Sequence, residues 1–480
     1  MRGAEKMPAD SVQRLRIAGS VTPSFNHTDQ GNAERLVNRH GDDLLYVEAW
    51  GRWLVWDGAR YRPDDTGEAV RRAKETVKAA YHEADPGDGR PVDGELSKHA
   101  IRSQAASRIR DMIFLAKSEN GIAARTSDFD REDWLLNCEN GTVDLRTGNL
   151  REHDRGDRIT KMAGTSHDPE AEAPTWTAFV ERVLPSETMR RFVQKLCGYA
   201  LTGDVSEQVL PFLHGTGANG KSTLVNTVLA AMGAYGQQAA PDLLLAKKGT
   251  HPTELADLFG ARLVASVEVE DGRRMAEGLV KQLTGGERVK ARYMRQDFFE
   301  FDPTHKVFLV ANHKPEIRGT DHAIWRRIKM IPFDVTIPDA EKDERLPEKL
   351  RDELPGVLAW MVEGCLLWQQ EGLGEPEEVK AATEGYRAEM DVLASFIEDR
   401  CVEHERAAAL ATPLYREYQN WCEENGEQPV KQTKFGLSLR ERGFQKALQS
   451  GSRLKMWRGI GLHDPESAPN TGLLSNEGGG

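Results

Sequence analysis

The chain has 480 residues, a formal net charge of −12 and five cysteines. This length exceeds what one hydrophobic core supports, so we expect about two to four domains. No run of about 18 apolar residues could span a bilayer and the N-terminus lacks the apolar segment of a signal peptide, which predicts a cytoplasmic protein with no membrane partner. The cysteines are scattered, which argues against a zinc site or a disulfide framework. The negative charge argues against a protein that simply coats nucleic acid.

The N-terminal third predicts a mixed α+β domain. Residues 1–40 are polar and predict a partly disordered segment. Apolar runs within 44–62, separated by Gly51 and the Asp57-Gly58 turn signal, predict a small β-meander. The further elements expected in chain order are helices over 68–84 and 97–118, with an exposed loop at 85–94 between them, and hairpins within 135–150. We place this domain at 41–163.

The remainder of the chain predicts an α/β domain and a separate C-terminal domain. Residues 164–174 are rich in Pro, Glu, Asp and Ala and predict a linker. Helices at 176–184 and 189–201 then lead into alternating apolar strands and helices, which indicate a largely parallel sheet. The predicted divisions are an α/β domain at 175–337, a helical connector at 338–389, a domain of three helices and two strands at 390–462, and a disordered tail at 463–480.

One glycine-rich segment carries the clearest chemical signal. Residues 215–223 contain the Walker A pattern Gly-x4-Gly-Lys-Ser, between an apolar run that predicts a strand and a stretch that predicts a helix. The candidate phosphate-binding residues are Gly215, Thr216, Gly217, Ala218, Asn219, Gly220, Lys221, Ser222 and Thr223. Lys221 would supply a charge to the β and γ oxygens, and the Ser222 hydroxyl would bind Mg²⁺. Many unrelated NTPases share this loop, so it predicts a ligand, a nucleoside triphosphate, and not an activity.

Two acids at the end of a predicted strand are candidates for the metal and the water. In the run 262–271, period-two alternation places Glu268 and Glu270 on one face. Buried side by side, these carboxylates would be costly without a cation, which favours a metal–water site. Solvated acids at a strand end are the alternative.

Two further positions could complete a phosphate-transfer site. Asn312 follows the apolar strand 306–311, where an amide could bind both the attacking water and a γ-phosphate oxygen; a turn residue is the alternative. Arg326 and Arg327 come fourteen and fifteen residues later, and a planar guanidinium at either position could reach a neighbour's γ-phosphate. A structural salt bridge is the alternative for one of them.

Two basic segments are candidates for nucleic-acid binding. Gly285-Gly286 permits a tight turn before Lys290, Arg292 and Arg295, so a hairpin carrying them could follow a phosphate backbone. Residues 431–458 hold eight Lys or Arg and one acid, interleaved with aromatic residues. Thr433 is the predicted N-cap of a helix over 434–442 that Gly443 would end. Ordinary exposed basic residues and a solvated helix face are the alternatives for the two segments.

These elements, in this order, resemble the superfamily 3 helicases of viruses, phages and plasmids. The closer resemblance is to the phage and plasmid primase-helicase family that includes the poxvirus-type primase-helicases. The segments that carry it are Thr28-Asp-Gln-Gly-Asn-Ala-Glu-Arg35, Asn140-Gly-Thr-Val-Asp-Leu-Arg-Thr-Gly148, the Walker A loop, Glu268-Val-Glu-Asp-Gly-Arg-Arg274, Leu283-Thr-Gly-Gly286, Ala311-Asn-His-Lys-Pro315 and Ile324-Trp-Arg-Arg-Ile328.

The resemblance implies the architecture and the role of each site residue. It implies an α/β fold with an AAA+-like P-loop NTPase core, a mixed α+β N-terminal domain and a C-terminal winged-helix domain. ATP and Mg²⁺ would bind between the subunits of a ring, usually a hexamer. Glu268 and Glu270 would be the Walker B acids, with Glu268 and Ser222 at the Mg²⁺, and Asn312 would be the sensor. Arg326 or Arg327 would be an arginine finger acting in trans.

The resemblance also implies partners and leaves alternatives open. Lys290 and Arg292 would contact single-stranded or forked DNA in the ring, and the winged helix would hold origin DNA through Lys434, Arg440 and Arg442, unless that helix packs against a protein. Larger relatives carry a primase-polymerase domain ahead of Thr28, for which this chain has no room, so we expect any priming to come from a separate primase or polymerase. An ATP-driven DNA helicase is the first hypothesis, an ATP-regulated replication initiator or loader the second and a nucleotide kinase the third.

Overall fold

The computed structural model describes residues 25–85, 87, 91–240, 242–247, 252–267, 272–294, 297–317, 322–449 and 453–463. The chain divides into two compact units, Met1–Arg131 with Asp154–Thr160, and Glu132–His153 with Lys161–Gly480. The hairpins expected in 135–150 therefore belong to the second unit and not to the N-terminal one. In the part of the chain that the structure describes, no helix is long and apolar enough to cross a bilayer.

The first unit packs helices against a small mixed sheet. Its elements are α1 Asp29–His40, β1 Leu44–Val47, β2 Arg52–Trp56, β3 Tyr61–Pro63, α2 Glu68–Ala84, α3 Gly94–Ser103, α4 Ala106–Ala116 and β4 Ala123–Ala124. The sheet order is β3-β2-β1-β4. The predicted meander and the helix over 68–84 are confirmed.

Residues 29–40, which the sequence placed in a partly disordered segment, form α1. The Thr28 hydroxyl caps this helix by accepting from the Gly31 N–H at 3.1 Å. The buried Arg35 guanidinium donates to the carbonyls of Phe25 and Asn26 at 3.2 and 3.1 Å. The buried Asn32 side chain donates to Ser103 in α3 at 2.9 Å. Polar composition predicted disorder here because it does not reveal that these polar side chains hold the helix in place.

The second unit contains the parallel sheet and the C-terminal domain. Its strands are β5 Leu135–Cys138, β6 Gly141–Asp144, β7 Asn149–Arg151, β8 Leu210–His214, β9 Gly236–Gln238, β10 Leu263–Val267, β11 Val289–Ala291, β12 Phe299–Phe301, β13 Lys306–Ala311, β14 Ile328–Pro332, β15 Cys401–Leu410, β16 Gln445–Leu448 and β17 Lys455–Leu462. Its helices are α5 Pro174–Val183, α6 Glu187–Leu201, α7 Lys221–Met232, α8 Pro252–Ala256, α9 Glu277–Thr284, α10 His322–Trp325, α11 Leu346–Asp352, α12 Leu354–Glu371, α13 Glu377–Glu389, α14 Val392–Arg400, α15 Ala411–Glu424 and α16 Gln432–Glu441.

Within the described residues, five strands form a sheet in the order β14-β8-β13-β10-β9, and every neighbouring pair is parallel. β13 is buried along its whole length, as expected for a strand that is covered on both faces. Leu213 packs with α6, α7 and α12 on one face, whereas Phe212 packs in the cluster on the other face, with α9 and α13. The predicted α/β class with a largely parallel sheet is confirmed.

The expected linker at 164–174 belongs to the second unit, has no helix or strand before Pro174, and is packed against α7. The Gly164 N–H donates to the Ala231 carbonyl at 2.9 Å. A Cβ at Gly164 would lie 1.9 Å from the Ala230 carbonyl oxygen. This approach to α7 requires glycine, so the segment lies against the sheet domain as a fixed connection.

The C-terminal domain contains a strand that the sequence did not predict. β15 lies between α14 and α15 and joins a sheet in the order β15-β17-β16. Its sequence, with charges followed by three alanines, lacks the alternation that marks a strand. The prediction of Thr433 as a helix N-cap is wrong: α16 begins at Gln432, two residues before the predicted start, and Lys431 occupies the cap position. Gly443 follows the helix with φ +92°, so its predicted role as a terminator is confirmed.

Candidate nucleotide-binding site

The Walker A loop begins at the carboxyl edge of the parallel sheet. β8 ends at His214, which pairs with Ala311 of β13 on one side and with Pro332 of β14 on the other. Asn312 and Phe333, the next residues of the two flanking strands, therefore emerge at the level of Gly215. Open α/β sheets bind ligands in the crevice outside the carboxyl ends of their strands.

The loop has the backbone shape that a phosphate cradle requires. Gly217, Ala218 and Gly220 have φ of +112°, +50° and +84°, in the region that glycine adopts without cost. A Cβ at Gly217 would meet no atom within 4 Å, whereas one at Gly220 would lie 2.6 Å from Val183. The loop is thus open on one side and packed against α5 on the other. α7 starts at Lys221, so its N-terminal N–H groups face the same space.

Lys221 is held by its own loop. Its buried ammonium donates to the Gly215 carbonyl at 2.9 Å and to Asn219 Oδ1 at 2.8 Å. The buried Asn219 Nδ2 donates in turn to the Phe333 carbonyl at 3.0 Å. An ammonium has three protons, so two are directed at the loop and one remains for a ligand oxygen. Burial lowers the pKa of Lys221 below that of an exposed lysine.

The loop residues fit a triphosphate with a metal. Thr216 and Ser222 are exposed and Thr223 is half-buried in the first turn of α7. The Ser222 hydroxyl therefore lies beside the ammonium-bearing loop at an accessible position, as a hydroxyl that binds Mg²⁺ requires. The Gly217 side of the loop provides the space that phosphate oxygens would fill.

The predicted sensor, Asn312, lies at the same carboxyl edge of the sheet as the Walker A loop. The two predicted acids lie outside the residues that the structure describes. Asn312 is exposed. Its backbone hydrogen-bonds the His214 side chain, whose pKa is lowered by burial and by the charges of Lys314 and Lys221. His214 is therefore neutral at neutral pH. Glu268 and Glu270 lie outside the described residues, which resume at Gly272 after β10 ends at Val267.

The structure separates the two arginines by their environment. Arg327 is buried, and its guanidinium donates to Thr284 Oγ1 at 3.0 Å and to the Ala323 carbonyl at 2.5 Å. Arg326 is exposed and donates to Gln208 Oε1 at 2.8 Å. Both precede β14, whose first residue Ile328 pairs with Leu210 at the start of β8. Arg326 thus lies at the amino edge of the sheet, about 15 Å or more from the Walker A loop at a rise of about 3.3 Å per residue.

The basic hairpin is present and carries an aromatic residue that the sequence reasoning missed. β11 and β12 pair antiparallel, with Lys290 opposite Glu300. The exposed Lys290 and Arg292 both lie over the ring of Phe298, at 5.2 and 4.9 Å from its centroid. Phe298 is 51% exposed, so a large apolar ring and two cations share one surface. Arg295 lies outside the described residues. The sequence did contain a signal for this contact, because Phe298 follows Lys290 by eight residues, a spacing that a hairpin can bring together.

The C-terminal basic residues divide into surface and structural positions. Lys434 and Arg440 are exposed on α16, and Leu437 between them is 54% exposed. Arg442 is partly buried and forms an ion pair with Asp391, the N-cap of α14. Arg442 therefore joins α16 to α14, and the surface expected for DNA retains Lys434 and Arg440.

Family models match three separate segments of the chain. They are "D5 N terminal like" over 33–185, "Family of unknown function (DUF5906)" over 213–327 and "Poxvirus D5 protein-like" over 388–453. The matches follow one another along the chain and include the N-terminal region, the Walker A region and the C-terminal domain. These matches support the expected resemblance to a primase-helicase family.

Viral proteins are similar to this chain at low identity. "Putative helicase L207/L206" of Acanthamoeba polyphaga mimivirus is 27% identical over 75% of this chain and 39% of its own length. "Putative helicase 184R" of Invertebrate iridescent virus 6 is 25% identical over 82% and 48%. "Putative primase C962R" of African swine fever virus is 22% identical over 69% and 37%. The chain thus spans about half or less of the length of these relatives.

Two solved structures share the fold of this chain. The A form apo structure of the C-terminal region of NrS-1 has a TM-score of 0.51 and 9% identity, and covers 90% of this chain and 100% of its own. A second apo structure of that region has a TM-score of 0.50 and 10% identity, with 90% and 99% covered. At this identity the likeness concerns the fold.

Proposed function

We propose that this protein is an ATP-dependent DNA helicase of superfamily 3 that acts in replication of a phage or plasmid element. It hydrolyses ATP between the subunits of a ring, a hexamer, and moves along single-stranded DNA. The observation that carries the proposal is the placement of Lys221 and Arg326 at opposite edges of one sheet. One chain cannot bring both to one phosphate, so a complete site takes Lys221 from one copy and Arg326 from the next. The helicase names of viral relatives support the same class.

The nucleotide site is assembled from the Walker A loop. The backbone N–H groups of 216–221 bind the phosphates, and the third proton of Lys221 reaches a β or γ oxygen. Ser222 and Glu268 would hold Mg²⁺, which when bound neutralises charge on the β and γ oxygens. Gly215 must be glycine, because a Cβ there would lie 2.1 Å from Asn219 Nδ2 and displace the amide that orients Lys221.

The catalytic groups act on the attacking water and on the charge that develops in transfer. Glu268 and Glu270 polarise the water, and the Asn312 side chain positions it against the γ-phosphate. Arg326 of the adjacent subunit stabilises the γ-phosphate charge in the transition state. Arg326 is favoured over Arg327 because a finger must be accessible, whereas the Arg327 guanidinium is buried against Thr284 and Ala323.

DNA is bound by two surfaces of different character. Lys290 and Arg292 pair with phosphates in the ring, and the Phe298 ring stacks on a base. The order helix, strand, two helices and two strands in 392–462 supports a winged helix, in which Lys434 and Arg440 contact duplex DNA at an origin.

Strand displacement on a forked duplex tests the proposal. With ATP and Mg²⁺, the purified protein should separate the strands, and Lys221→Ala should abolish both unwinding and DNA-stimulated ATP hydrolysis. Lys74→Ala, at an exposed position of α2, is the matched control and should retain both activities. ATP hydrolysis and origin binding without any strand displacement would assign the chain to the initiator or loader class. Equal unwinding by Lys221→Ala would exclude a motor.

A further inference from the structure

We infer that Gln208 is a positioning residue that holds Arg326 for the neighbouring subunit's nucleotide. The inference rests on the proposed function, because it gives Gln208 a role only if Arg326 acts on a phosphate. Gln208 lies two residues before β8, in the connection from α6 to the Walker A strand. No motif of the sequence includes it.

The backbone of Gln208 is in an unfavourable conformation. Its φ is +51°, in the left-handed region that a residue with a Cβ adopts only at a cost. Glycine would occupy the position without that cost. Such strain persists where the surrounding structure determines it, and it concentrates at functional sites. The left-handed turn therefore points to a use for the glutamine side chain.

The Gln208 side chain hydrogen-bonds two residues, and the proposed function gives each of them, or the segment it belongs to, a role. Gln208 Oε1 accepts from Arg326 Nη2 at 2.8 Å, and Gln208 Nε2 donates to the Gly285 carbonyl at 3.4 Å. Gly285 follows α9 and precedes the basic hairpin. The adjacent Arg327 is held to Thr284 in the same way. The amide of Gln208 thus fixes Arg326 to the segment that leads to the proposed DNA-binding strands.

A positioning role differs from a stabilising one in a measurable way. Arg326 is exposed, and hydrogen bonds at an exposed guanidinium add little to folding stability. The contact uses one of five N–H groups, which leaves the guanidinium fork able to bind phosphate oxygens. Removing the glutamine side chain should therefore leave the Arg326 side chain free to adopt other orientations without weakening the fold.

The experiment compares Gln208→Gly with the parent protein in the full chain. We expect an equal or higher Tm because the strain is relieved, an unchanged KM for ATP, and a kcat for DNA-stimulated hydrolysis that is lower by roughly tenfold. Arg158→Gly is the matched control, because Arg158 also has a positive φ, +48°, and lies in the other compact unit. It should keep or raise Tm and leave kcat unchanged.

A double-mutant cycle with Arg326→Ala separates the possible failures. Arg326→Ala alone should lower kcat by on the order of 10³-fold, and adding Gln208→Gly should change it no further. If Gln208→Gly leaves kcat unchanged, lowers Tm and kcat together, or adds to the effect of Arg326→Ala, the positioning role is wrong while the proposed function stands. If Arg326→Ala itself leaves kcat unchanged, the proposed trans arginine is wrong, and the role of Gln208 with it.

Discussion

The side-chain amide of Asn219 connects the Walker A lysine to the neighbouring strand. Its Oδ1 accepts from Lys221 Nζ at 2.8 Å, and its Nδ2 donates to the carbonyl of Phe333, just after β14, at 3.0 Å. Asn219 is 3% exposed. Both groups that it satisfies are buried, so the position of the ammonium depends on this amide together with the Gly215 carbonyl.

We expect Asn219→Ala to weaken both folding and nucleotide binding. Loss of the amide removes the donor to the buried Phe333 carbonyl and one of the two acceptors of the buried Lys221 ammonium, at a cost of about 1 to 3 kcal/mol in unfolding free energy. ATP affinity should fall by about tenfold, because the ammonium is no longer oriented. Urea denaturation and fluorescence titration with a labelled nucleotide measure the two effects. Asn226→Ala, exposed on α7, should change neither.

The lowered pKa of Lys221 predicts an alkaline limit to nucleotide affinity. Burial disfavours the ammonium, so in the free protein it loses its proton below the ordinary lysine value of 10.5. Because the charged form binds phosphate, ATP affinity should be constant at neutral pH and should fall as the pH rises through the lowered pKa. Titrations across this range measure the effect. Lys221→Arg stays charged and should show no such fall, and the same decline in both proteins would contradict the assignment.

Arg327 should matter to folding more than to chemistry. Arg327→Ala removes a buried guanidinium together with its hydrogen bonds to Thr284 and to the Ala323 carbonyl, so we expect a loss of about 2 to 4 kcal/mol in unfolding free energy. Arg326→Ala should cost less than about 1 kcal/mol. Chemical denaturation of the two single variants measures the difference. If Arg326→Ala and Arg327→Ala lowered the unfolding free energy equally, the distinction between Arg326 as the proposed finger and Arg327 as a structural residue would be wrong.

Substitutions in the basic hairpin should distinguish phosphate contacts from base stacking. Lys290→Ala should reduce the slope of log affinity against log salt for single-stranded DNA by about 0.7, because one phosphate contact is lost. Phe298→Ala should weaken binding by about 1 to 3 kcal/mol and leave that slope nearly unchanged. Fluorescence anisotropy at several salt concentrations measures both. If the slope of log affinity against log salt fell in both variants, or in neither, the hairpin would not be the surface that binds DNA in this way.

The sequence predicted the sheet domain better than the C-terminal domain. The apolar runs 306–311 and 209–213 lie between turn signals, so local pattern predicted the strands observed as β13 and β8. β15 combines charges with alanines, and its pairing with β17 is long-range, so local pattern did not reveal it. The Walker A loop was identified by the spacing of its glycines between a predicted strand and a predicted helix. The structure explains that spacing, because Gly217 and Gly220 have positive φ and a Cβ at Gly215 or Gly220 would meet neighbouring atoms.

The structural differences between the candidate site residues follow from their burial, which the spacing of residues in the sequence does not reveal. Arg326 and Arg327 are adjacent and chemically identical, and only the fold directs one outward and the other against Thr284. Arg442 was expected at the DNA surface, yet its neighbour in space is Asp391, about fifty residues earlier in the chain. Gln208 gave no signal, because a left-handed backbone at a non-glycine residue has no reliable sequence pattern.

Mixing two inactive variants tests the proposed ATP site between subunits most directly. Lys221→Ala and Arg326→Ala should each be inactive alone, since each lacks one half of every site. In rings formed from equal amounts, about a quarter of the interfaces would join an intact Lys221 to an intact Arg326. We expect DNA-stimulated ATP hydrolysis to return to about a quarter of the parent rate at most. No recovery in rings verified by size to contain both variants would contradict a site completed by the neighbouring subunit.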